Sequence, residues 1–121
     1  MNELEITGRA RTHIIDLDEP QCSVHYEVAA ALLAMRDAAA KDGIDLRPCS
    51  SFRDFDRQLA IWNSKWSGER ALYDRRGQPL ERKQLNDFET IDAILCWSAL
   101  PGGSRHHWGS DLDLIDAAAV K

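Results

Sequence analysis

Ser104-Arg105-His106-His107-Trp108-Gly109-Ser110-Asp111-Leu112-Asp113-Leu114 is the stretch that decides how this chain must fold. His106 and Asp113 stand seven residues apart with Gly109 between them. An imidazole nitrogen and a carboxylate oxygen are both zinc donors, each about 2 Å from the ion. On one extended strand the two side chains would lie roughly 23 Å apart and on opposite faces. On one helix about 10 Å of rise would separate them. Convergence on a single ion therefore requires the chain to turn back near Trp108-Gly109, where glycine permits a turn or bulge closed to other residues. In a regular backbone His107 points the opposite way from His106, so only one of the two faces Asp113. Asp111 alternates in phase with Asp113 and is either an outer partner that orients a histidine or a charge at the rim.

Upstream of this stretch, Pro101-Gly102-Gly103 ends a helix that Asn86 and Glu89 open as a capping box, with Phe88, Ile91 and Leu95 facing inward. Asp54 caps another helix, whose Phe55, Leu59, Trp62 and Trp66 recur at helical spacing and read as core rather than as sugar-stacking aromatics. Ser67 to Lys83 is charged, lacks periodicity and holds Gly68, Gly77 and Pro79, so it is a loop or insertion, and a candidate substrate rim. Ile44 to Ser50 alternates as a short strand. Val24, Val28, Leu32, Met35 and Ala39 predict a helix from Val24 to Lys41, capped by Ser23 and ended by Gly43. His25 then falls in its first turn as a structural or exposed residue. Residues 4 to 17 suggest a strand or extended arm, with His13 an exposed polar residue. The order helix, strand, helix, helix and a closing strand pair from 104 to 116 predicts an α+β fold, with helices on one face of a small antiparallel sheet.

With 121 residues the chain is one domain or most of one. A net charge of -5 argues against a nucleic-acid surface, and the basic run Arg70, Arg75, Arg76, Arg82, Lys83 reads as a solvated loop rather than an anion-binding patch. Cys22, Cys49 and Cys96 are isolated and odd in number, which suggests reduced thiols rather than a disulfide framework. No apolar stretch is long enough to span a bilayer, and residues 1 to 5 lack the features of an export signal. The sequence is thus expected to be cytoplasmic and without a membrane partner, unless an exported parent has lost its signal.

Ser104, His106, Gly109 and Asp113 form a Ser-x-His-x-x-Gly-x-x-x-Asp pattern. In this the chain resembles the zinc D-alanyl-D-alanine carboxypeptidases and dipeptidases of the VanY/VanX type, the M15 metallopeptidases. Ser50-Ser51-Phe52-Arg53, followed by Gln58, is similar to that family's Ser-Gly-Tyr-Arg-type element. The two motifs lie in the family's order and the resemblance covers residues 22 to 116.

The resemblance implies the hedgehog-like peptidase fold, a Zn2+ cofactor held by His106 and Asp113, and a peptide substrate with a D-alanyl terminus. It further implies that Arg53 is catalytic, gripping the substrate carboxylate or stabilising the oxyanion, and that Ser51, Gln58 and Ser104 join it in binding the peptide. The family takes its third ligand and general base from a later Glu-x-x-His element, and no such pattern occurs in residues 1 to 121. The chain is therefore expected to be the N-terminal portion of a longer peptidase domain, weak or inactive by itself, with an uncovered edge open to homodimerisation. The alternative is a non-catalytic relative that keeps a peptide or metal site. Carboxypeptidase, dipeptidase and endopeptidase cleavage are not distinguished by these residues.

Overall fold

The computed structural model describes residues 1–120. Its elements in chain order are α1 (Glu3–Ile6), β1 (Ile14–Asp18), β2 (Gln21–His25), α2 (Ala29–Ala40), β3 (Leu46–Ser50), α3 (Phe55–Ser67), β4 (Leu72–Tyr73), β5 (Pro79–Leu80), α4 (Asp87–Trp97) and β6 (Asp113–Asp116), with short 3-10 turns at Arg82–Gln84 and Arg105–Trp108. The α+β class holds, but the strands form three antiparallel pairs, β1 with β2, β3 with β6 and β4 with β5.

Two caps act as their side chains predict. The Asp54 carboxylate accepts from Arg57 N at 2.7 Å, and Asn86 and Glu89 complete a capping box at the start of α4. The first third of the chain differs from its pattern. Residues 3–6 are a helical turn closed by an Asn2–Glu5 capping box, and Val24 belongs to a strand, because Gln21–His25 pairs with Ile14–Asp18. Ser23 caps no helix. Its hydroxyl donates to Asp16 at 2.5 Å across the hairpin, and α2 begins later, at Ala29. Cross-strand pairing has overridden a helical repeat that extended one turn too far upstream.

Val24, Ala29 and Leu32 are buried together, with Leu17, Leu112 and Leu114 packed against them. Ile61 of α3, Leu72 of β4 and Ala93 and Ile94 of α4 are the buried apolar side chains of the helical half. Neither helix there is oriented as its aromatics suggest. In α3 the buried residues are Gln58 and Ile61, while Leu59 is exposed and Trp62 and Trp66 are half-buried. In α4 Phe88, Ile91 and Leu95 face outward, and Thr90 turns inward because its hydroxyl donates to Asn86 O at 2.8 Å and needs no other partner. The segment after α3 is a small hairpin, β4–β5, fastened to α4 where Trp97 Nε1 donates to Asp74 O at 3.0 Å.

Candidate metal and peptide site

β3 and β6 position the site. Pro48 has no N–H to give to the ladder, and the register shifts directly after it, from Pro48 opposite Leu114 to Ser50 opposite Asp113. Ser50 and Asp113 thus sit side by side at the strand end. The chain reaches Asp113 from the 3-10 turn Arg105–Trp108, which Ser104 caps by accepting from His106 N at 3.1 Å. Gly109 then reverses the backbone at φ +76°, and its carbonyl accepts from His25 N at 2.9 Å. A Cβ there would lie 2.6 Å from His25 N and collide with Ile14, so both the dihedral and the close approach require glycine.

The expected bend is therefore formed, and it brings His106 Nε2 to 3.5 Å from Asp113 Oδ2. Two donors each bound about 2.1 Å from a tetrahedral ion stand roughly 3.4 Å apart, so this pair fits zinc. His106 is mostly buried and Asp113 largely exposed, and His106 Nδ1 is buried without a hydrogen-bond partner among the described residues. No third histidine, cysteine, aspartate or glutamate joins them as a metal-binding group among the described residues. Asp111 pairs instead with Arg105 at 3.3 Å, which places it at the rim.

Both residues open on a cavity of about 390 Å³ that Arg53, Gln58, Lys65 and Arg70 also line. Arg53 donates to Gln58 Oε1 at 3.0 Å and to Ser50 Oγ at 3.2 Å, while Gln58 Nε2 donates to Ala99 O at 2.8 Å. Gln58, 1% exposed, thus aims the guanidinium from behind. Ser104 is likewise buried and used as a cap. Ser51 is not on this wall. Its hydroxyl accepts from Ser23 N at 3.3 Å, facing β2, and the serine beside Arg53 is Ser50. Burial pushes the Arg53 pKa down, as do Arg57 and Arg70, against the pull of Asp113.

Two buried histidines hold this frame, and neither is legible in the motif. Gly102 N donates to His107 Nε2 at 3.1 Å, so the proton of the neutral ring lies on Nδ1, which donates to Arg53 O at 2.6 Å. Arg53 N in turn donates to His106 O at 3.1 Å. Burial holds the His107 pKa below its ordinary value, in keeping with a neutral clamp. His13, expected at the surface, is 1% exposed, and its Nε2 donates to His107 O at 2.7 Å. Gly8 leaves room for this arrangement, since a Cβ there would stand 2.7 Å from His107 Cγ. His25 lies at the end of β2, where its Nδ1 accepts from Glu27 N at 3.0 Å. Lys65 and Arg70 were missed as well. Lys65 follows Gln58 by seven residues on the same face of α3, a periodic signal, whereas Arg70 reaches the wall only because the segment after α3 folds back.

Residues 21–121 match the family model for VanY, D-alanyl-D-alanine carboxypeptidase. The chain belongs to that family. A relative in Haemophilus influenzae, described as an uncharacterized protein, is 45% identical over 98 residues, covering 78% of this chain and 67% of its own length. The vancomycin-resistance D,D-pentapeptidase VanY of the VanB-type cassette, crystallised as a point mutant with Zn(II), shares the fold at TM-score 0.65 and 21% identity over 88% of this chain and 53% of its own. VanYB in complex with D-alanine-D-alanine gives TM-score 0.64 and 20% identity over 88% and 52%. The chain spans about half the length of these solved structures.

Proposed function

We propose that this chain contributes the His106–Asp113 donor pair and the Arg53 wall of a zinc-dependent D-alanyl-D-alanine carboxypeptidase site acting on peptidoglycan-type peptides. The observation that carries this is the 3.5 Å approach of His106 Nε2 to Asp113 Oδ2 on the cavity that Arg53 lines. The Zn(II) and D-alanine-D-alanine named with the two solved relatives agree in kind with such a site.

His106 would hold the metal through Nε2 and Asp113 through Oδ2. Zinc, when bound, supplies Lewis acidity, acidifying a water toward a pKa of roughly 7 and polarising a carbonyl. Arg53 has five N–H donors and spends two on Gln58 and Ser50, so the others are free to meet a carboxylate or the oxyanion that develops at the scissile carbonyl. Gln58 and Ser104 act behind these groups, one orienting Arg53 and the other shaping the turn that carries His106. The His107 clamp ties the backbones of Arg53 and His106 into one unit, so the donor pair and the guanidinium keep a fixed relation.

A second reading, a peptide-binding relative without turnover, is favoured by one observation: two metal donors converge among the described residues, and no third. Zinc titration of the 121-residue chain is the test, with D-alanine release measured alongside. Weak zinc binding is expected, abolished by His106→Ala and by Asp113→Ala. A protein that adds a Glu-x-x-His element should release D-alanine faster by about 10² to 10⁴ through general-base help alone. Zinc affinity indifferent to both substitutions would remove the metal assignment, and added ligands without turnover would favour the binding reading.

A further inference from the structure

Four cations line the cavity, and no carboxylate forms an ion pair with three of them, Arg53, Lys65 and Arg70, among the described residues. The remaining cation of the wall, Arg105, is taken by Asp111. Lys65 lies in the last turn of α3, where a positive charge suits the helix dipole, but that helix end is already served. Gly68 N donates back to Lys65 O at 3.3 Å, and Arg82 Nε donates to Trp66 O at 2.7 Å. The Lys65 ammonium instead reaches across to the Ser98 hydroxyl, just beyond α4. Burial pushes its pKa down, and Arg70 and Arg53 push it further, so the three charges oppose one another. A cavity built this way is stabilised by an anion that enters it.

The three cations are not equivalent. Arg53 is bonded to Ser50, the register partner of Asp113, and so stands at the metal end. Lys65 is bonded to Ser98, at the α3–α4 end, and the Arg70 backbone is tied to the same helix end through Ser64 O at 3.0 Å. We propose that Lys65 and Arg70 form the subsite for the terminal carboxylate of the peptide, leaving Arg53 to face the carbonyl that is cleaved. The assignment rests on the peptidase reading above and deepens it, because it gives the cavity a direction: free carboxylate toward α3 and α4, scissile bond toward β6.

The test compares binding of acetyl-D-alanyl-D-alanine and of its C-terminal amide by NMR titration, which needs no turnover. The wild type should prefer the acid by roughly 10- to 100-fold, the range expected of a charge-assisted contact. Lys65→Met combined with Arg70→Gln should erase that preference while leaving the amide's affinity in place. Lys65→Arg should preserve the preference, as should Arg53→Gln. Both cations are at least partly open to solvent and their loss relieves repulsion, so the double variant should stay folded, which circular dichroism checks. An acid preference that survives the double variant, or that Arg53→Gln alone abolishes, overturns the assignment. If the wild type binds neither peptide, the peptidase reading itself fails and the subsite fails with it.

Discussion

The two walls of the cavity are built by different means. The wall of β3, β6 and the Arg105–Trp108 turn is fastened through main chain. His25 N bonds Gly109 O, Arg53 N bonds His106 O, and the buried His107 ring joins Gly102 to Arg53. The opposite wall, from α3 and the start of the segment after α4, is held through side chains, where Gln58 Nε2 donates to Ala99 O and the Lys65 ammonium reaches the Ser98 hydroxyl. Donors that must converge on one ion tolerate little displacement, whereas a long flexible cation can follow a substrate. The difference teaches that rigidity here is concentrated where the metal donors lie.

The sharpest way to break that contrast is Gly109→Ala. A residue other than glycine at φ +76° costs about 1 to 2 kcal/mol. Forcing a Cβ against His25 N and Ile14 adds overpacking of roughly 1 to 3 kcal/mol. The sum predicts a loss of about 2 to 5 kcal/mol in a urea melt, together with loss of zinc binding, because the bend that sets His106 beside Asp113 is the part displaced. A variant of unchanged stability would show that the turn does not depend on the left-handed dihedral.

That bend is also where the sequence was most informative, and the reason is local. Seven residues, a glycine and two donors admit few solutions, as do Asp54 and the Asn86–Glu89 box, each of which bonds within its own helical turn. What escaped was set by distant partners. His13 is buried by contact with His107, 94 residues away, and nothing near His13 announces it. Val24 continues the repeat of α2 by coincidence of spacing, while it lies in β2 opposite Ile15 and is buried by packing with Ala29 and Leu32. Ser50 and Ser51 are adjacent in the motif, and only the register shift after Pro48 decides which of them meets Arg53. The basic run was legible as charge but not as place, because a hairpin that turns Arg70 inward and lets Arg82 cap α3 leaves no trace in composition.

A smaller effect probes the second wall through its helix. Asn86→Ala removes the acceptor for Glu89 N at 2.8 Å and leaves only the reciprocal half of the capping box, in which the backbone N–H of residue 86 donates to Glu89 Oε1. Loss of such a cap costs about 1 kcal/mol. Because α4 meets the cavity only near Trp97 and Ser98, at its far end, zinc affinity should be unchanged while the melt shifts. A parallel drop in zinc affinity would mean that the two walls are more tightly coupled than their bonding suggests.

The smallest expected effect is at Phe88, and it tests the orientation of α4 directly. The helical spacing of Phe88, Ile91 and Leu95 places them inward, yet Phe88 is 78% exposed and the buried side is Thr90, Ala93 and Ile94. Surface substitutions of this kind fall within about 0.5 kcal/mol, so Phe88→Ser should leave the urea midpoint nearly unmoved. Ile94→Ala, on the fully buried face, should cost about 2 to 5 kcal/mol in the same experiment. The two results are read together, since they decide which side of one helix carries the packing. A cost above about 2 kcal/mol for Phe88→Ser would mean that this face is covered when the protein folds in solution, and that the wall carrying Lys65 and Ser98 is braced from outside as well as from within.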